Sequence, residues 1–134
     1  MTYLAHAPQP GLRSFIVYDA IPAGCSPQEV REKGIEPHAR RGEIVVVDDA
    51  DRQPMHGELF AIEWSSSGNR DVVEIRRWKD DDCDGNPLWI AQWMQTVHRL
   101  DGSVAYTHPW MDGPYPEWAI QEKLIGRVIG IYQP

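Results

Sequence analysis

Short apolar runs broken by glycine, proline and small polar residues organise this chain, a spacing that predicts a β-rich domain. The first strand is expected at residues 14–21, from Ser14 to Ile21. Glu43 to Asp48 encloses Ile44-Val45-Val46-Val47, an unbroken β-branched run expected of a strand buried on both faces. A strand over Leu59 to Trp64 follows the turn Pro54-Met55-His56-Gly57, and another over Val72 to Trp78 follows Ser65 to Asn69. Leu88 to Val97 and Leu124 to Tyr132 supply two longer strands, and Val104 to Thr107 a short one. Helix is scarce. Ser26 and Glu29 have the spacing of a capping box, with Pro27 at the favoured first helical position and Gly34 placed to end the helix. A helix is therefore expected over Pro27 to Lys33, and a weaker turn of helix around Glu117-Trp118-Ala119-Ile120.

The chain has 134 residues, enough for one domain with a core that needs no disulfide or metal staple. Twenty acidic residues against 13 basic give a net charge of −7, which argues against a phosphate-binding surface. Cys25 and Cys83 form neither a disulfide framework nor a metal-ligand spacing. No apolar stretch is long enough to span a membrane, and Met1-Thr2-Tyr3-Leu4 does not begin a secretory signal. A cytoplasmic location is the expectation. Lys79 to Pro87 is acidic and reads as a solvated hairpin loop whose carboxylates lack the spacing of a calcium-binding EF-hand. No phosphate-cradling glycine loop, Cys-x-x-Cys or His-Glu-x-x-His motif is present, so no cofactor and no metal is expected.

Four ordered pieces of the chain carry a likeness. They are Arg41-Gly42-Glu43-Ile44-Val45-Val46-Val47-Asp48 with Gly57-Glu58-Leu59, then Val73-Glu74-Ile75-Arg76-Arg77-Trp78, Gly113-Pro114-Tyr115-Pro116, and Ile125-Gly126-Arg127-Val128-Ile129-Gly130. Together they resemble the self-cleaving serine peptidases of the LexA, UmuD and lambda-type phage repressor group over roughly residues 41–132. The resemblance implies a single compact, mostly antiparallel β-domain with little helix, preceded by an N-terminal arm over residues 1–13. It also implies a serine nucleophile activated by a lysine, because a serine hydroxyl attacks poorly until a base removes its proton.

This chain departs from that pattern at both positions. The family lysine falls on Arg76, and arginine stays protonated and cannot be a general base. Lys79 has the opposite strand parity and opens the acidic loop. Two registers compete for the nucleophile. One places Gly34 there, through Gly34-Ile35-Glu36-Pro37; the other, with an insertion, places Ser26 there, through Gly24-Cys25-Ser26-Pro27. Ala23-Gly24 copies the bond that LexA cleaves, but its place after the first strand reads as a turn. The DNA-binding helix-turn-helix of LexA has no room before Phe15.

The expectation is a catalytically inactive LexA/UmuD-like domain, acting through a protein partner or as a homodimer in bacterial or phage regulation, without direct sequence-specific DNA binding. The alternative is a divergent self-cleaving peptidase that uses Ser26. Six tryptophans against two phenylalanines suggest an aromatic contact surface, because Trp and Tyr are common interface anchors. Trp89 and Trp93 should share a strand face, and Trp64 and Trp78 should end neighbouring strands. Tyr106, Trp110, Tyr115 and Trp118 form the expected partner surface, in a stretch that Pro109, Gly113, Pro114 and Pro116 should keep irregular. His38, Arg40 and Arg41 would make a basic spot with Arg76 and Arg77 if their strands adjoin.

Overall fold

A computed structural model describes residues 15–31, 35–36, 38–107 and 110–134, with Tyr106 described by its backbone only. The fold is mainly β and mostly antiparallel, with one short helix. In chain order the strands are β1 (Ile16–Tyr18), β2 (Cys25–Glu29), β3 (Ile44–Asp48), β4 (Glu58–Glu63), β5 (Arg70–Arg77) and β6 (Leu88–Gln92). β7 (Gln95–His98), β8 (Val104–Thr107) and β9 (Met111–Pro116) follow, then helix α1 (Glu117–Lys123) and the last strand, β10 (Leu124–Tyr132). The large sheet runs β2-β3-β10-β4-β5-β6-β9, with β1 added to β10 in parallel; β7 and β8 pair only with each other.

The last strand is the pivot. Its first half pairs with β4, and its second half with β3 on one side and β1 on the other. Two glycines permit this crowding. A Cβ on Gly126 would fall on the Asp48 carbonyl, and one on Gly130 would fall on the Ile16 carbonyl and the Tyr18 ring. The sheet curls until β2 stands against β5, although three strands separate them in sheet order.

Both faces of the central strands are buried. Leu59, Ala61 and Val72 join Val45, Val47, Val128 and Ile131 in one cluster, which Val30, Ile35 and Ala39 close. On the opposite pleat, Phe60, Ile62, Val73 and Ile75 join Trp89, Ala91, Trp93 and Leu124 in a second cluster, covered by Ile120 of α1. Val45, Val46 and Val47 are all fully buried, as their unbroken apolar run predicts.

Three expectations are corrected. Residues 25–29 are not helical: Cys25 to Glu29 pair in register with β3, from Cys25↔Asp48 to Glu29↔Ile44. Pro27 is tolerated there because β2 is an edge strand. Lys33 and Gly34, the expected end of that helix, lie outside the described residues. Met111 to Pro116 is strand rather than irregular chain, again at a sheet edge where its prolines are accommodated. Leu88 to Val97 is broken at Trp93-Met94 into β6 and β7. Around residue 117, the helix is longer than its four-residue signal, reaching Lys123.

Candidate functional site

Arg76 lies near the end of β5, and its guanidinium is held rather than free. Its Nη1 donates to Glu74 Oε1 at 3.2 Å, and Gln92 Nε2 on β6 donates to the same oxygen at 2.6 Å. The Glu74 side chain is only 5% exposed, so its charge relies on these donors. His56 seals the outer side: its Nδ1 accepts the backbone N–H of Arg77 at 3.0 Å, and its Nε2 lies 3.4 Å from Arg76 Nη2. Hence position 76 would not suit a lysine general base, for two reasons. Arginine keeps its proton, and a lysine in its place would sit beside a buried carboxylate, which favours the charged amine.

The lysines offer no substitute among the described residues. Lys79 lies past the end of β5 with Nζ 5.8 Å from the Trp78 ring, and Lys123 lies 5.1 Å from the Tyr115 ring. Lys33 is outside the described residues.

Ser26 is half-buried on β2, and its Oγ donates to Asp49 Oδ1 at 2.6 Å. It caps no helix. A carboxylate is a far weaker base than an amine, and an adjacent negative charge opposes the build-up of charge on an attacking oxygen. The neighbouring thiol reports the same field. Partial burial and the charges of Asp48 and Asp49 push the Cys25 thiol up from its ordinary value. Gly34, the competing nucleophile position, lies outside the described residues. Ala23-Gly24 is a turn, closed by the Cys25 N–H donating to the Pro22 carbonyl at 3.1 Å, with Gly24 at φ 78°.

The aromatic set divides. Trp110 stacks on Trp93 at 3.9 Å between ring centroids, and meets Trp64 edge-on at 5.3 Å. Trp110 and Tyr115 both pack against the second core cluster, and the Tyr115 hydroxyl donates to Asp112. Burial, together with the hydrogen bond and charge of Asp112, pushes that hydroxyl up to about 12. Among the described side chains of that set, Trp118 alone stands open, 66% exposed, beside a shallow groove of about 350 Å³ with Arg52, Gln121 and Glu122. The Tyr106 side chain lies outside the described atoms. Trp89 and Trp93 share a face, and Trp64 and Trp78 end the neighbouring strands β4 and β5, at opposite ends because the two run antiparallel.

β3 and β5 do not adjoin in the sheet, since β10 and β4 lie between them, and His38 is buried rather than part of an open basic surface. Arg76 and Arg77 project from opposite faces; Arg76 holds Glu74, while Arg77 holds Asp81 at 2.8 Å. In the acidic loop, Asp82 turns inward to accept the backbone N–H groups of Asp84 and Asn86, which holds its carboxyl below the usual range. No group of three or more metal-ligating side chains forms among the described residues, and no helix there is long and apolar enough to cross a membrane.

Fold and site together define a mainly antiparallel β-domain whose best-built polar centre is an Arg-Glu-Gln cluster. No family model, curated protein or solved structure matches the chain.

Proposed function

We propose that this protein is a catalytically silent relative of the LexA/UmuD-type self-cleaving peptidases. It acts by contact, with a protein partner or a second copy of itself, in the cytoplasm of a bacterial or phage-infected cell. The observation that carries the reading is the bond from Arg76, the residue that the resemblance aligns with the lysine base, to buried Glu74. The bond between Ser26 and Asp49 supports it, because the hydroxyl's partner there is a carboxylate rather than an amine. The net charge of −7 fits contact with proteins rather than with DNA.

The test is intact-mass spectrometry of the purified chain after long incubation at pH 7 and at about pH 10, where an ordinary lysine amine is substantially neutral. The expected result is one unchanged mass at both. A fragment pair that appears in the wild type and vanishes in Ser26→Ala would establish the alternative, a peptidase built on Ser26.

A further inference from the structure

Helix α1 carries an aromatic side chain that the core does not use. Trp118 is 66% exposed, and it is the only aromatic among the described side chains that stands so far open. Trp118, Gln121 and Glu122 lie at helical spacing, so they share one face of α1. Arg52, from the loop between β3 and β4, joins them around a groove of about 350 Å³, a size found in small-molecule sites.

The polar groups of this groove are held in place. Arg52 Nε donates to the Leu124 carbonyl at 2.9 Å and Nη2 to the Gln121 carbonyl at 3.0 Å, which fixes the guanidinium against the end of the helix. A guanidinium has more N–H donors than these two bonds use, and it accepts nothing. Gln121 is fixed as well, with Nε2 donating to Gln53 Oε1 at 3.1 Å. Glu122 is exposed at the same groove, and a carboxylate there only accepts. The groove thus combines a stacking surface, a fixed donor fork and an acceptor pair, with little ordering left to do when a ligand enters.

The geometry points to a binding site for guanine, as the free base or its nucleoside. A planar heterocycle matches the indole face, and stacking on an aromatic side chain is a common way for a protein to hold an unpaired base. Guanine presents the acceptors O6 and N7 to a guanidinium fork, and N–H donors on its N1 and N2 side to a carboxylate. Adenine and cytosine would set an amino group against Arg52 in place of O6. A saccharide hydroxyl both donates and accepts, so it would gain no selectivity from a donor group set apart from an acceptor group. A nucleotide fits less well than a nucleoside. Its phosphate would add negative charge to a chain of net charge −7, and Arg52 is the only cationic side chain lining the groove. The site stands apart from the way the protein contacts a partner.

Isothermal titration calorimetry of the full chain with guanosine, over a series reaching about 1 mM, tests it, with adenosine, cytidine and glucose as comparisons. Saturable binding of guanosine is expected, about tenfold or more tighter than adenosine or cytidine. Trp118→Ala is expected to weaken it about tenfold or more and Glu122→Gln about tenfold, with circular dichroism unchanged because both side chains are exposed. Trp118→Phe keeps a stacking ring and is expected to hold most of the affinity, which separates lost stacking from a disturbed helix. No binding by the wild type, adenosine or glucose binding as tightly as guanosine, or a folded Glu122→Gln that binds unchanged would each overturn the site. None of these outcomes bears on self-cleavage, which the intact-mass experiment decides separately.

Discussion

Gly126 sits where β10 crosses β3 so closely that no side chain fits between its Cα and the Asp48 backbone. The obstacle is main chain rather than a flexible side-chain tip, so it cannot swing aside. Gly126→Ala is expected to destabilise the fold by about 2 kcal/mol or more, measured as a lower urea midpoint at unchanged slope. Tyr115 makes a different kind of prediction. Its folded pKa of about 12 lies above the unfolded value near 10, so the neutral phenol stabilises the fold below pH 10. That contribution is lost as pH rises from about 10 through 12. Absorbance titration near 295 nm should show one tyrosine ionising late, and Tyr115→Phe should remove that step. The tyrosine residue was legible in the sequence as an aromatic of interest, but its anchor was not. The hydrogen bond depends on a strand that places Asp112 beneath it.

At the scale of elements, α1 shows how tertiary contacts make up for weak local signals. It has seven residues, Pro116 provides no side-chain cap, and an isolated helix of that length is not stable in water. Arg52 holds its C-terminal end, with Nε donating to the Leu124 carbonyl at 2.9 Å and Nη2 to the Gln121 carbonyl at 3.0 Å. Arg52→Ala is expected to cost about 1 kcal/mol, because the bonds are charge-assisted but partly exposed. Hydrogen exchange confined to residues 117–124 should accelerate while the central strands stay protected. The sequence marked this helix by only a few residues, and Arg52, some seventy positions upstream, could not enter a local reading. The same limit explains the helix expected after Ser26. A capping box is a local preference, and pairing with β3 outweighed it.

At the scale of the molecule, β4, β5 and β10 contribute to both apolar clusters, so neither should melt alone. Ile62 is fully buried in the second cluster, and Ile62→Ala is expected to cost roughly 2–5 kcal/mol. Tryptophan fluorescence reports mainly the second cluster, where Trp64, Trp89, Trp93 and Trp110 gather, while far-ultraviolet circular dichroism reports the whole sheet. The two denaturation curves should coincide in wild type and variant, and separated midpoints would mean two independently folding halves.

The β class and the central strands were determined by the sequence itself. Val45 to Val47, Leu59 to Ile62 and Val72 to Ile75 are β-branched or apolar enough to prefer strand wherever they stand. What Gly126 and Gly130 make room for was not legible there, because the close approach of β10 to Asp48 and Ile16 belongs to the packed sheet. Tertiary structure decided the rest. It made strands of Cys25–Glu29 and Met111–Pro116, which carry proline and hold their form only against β3 and β6. It gave Ser26 to Asp49 and Arg76 to Glu74 and Gln92, and it sent two tryptophans of the supposed open surface in opposite directions, Trp110 inward and Trp118 outward. Local propensity reports what one segment prefers, whereas a hydrogen-bond partner or a covered face is supplied by chain far away in sequence.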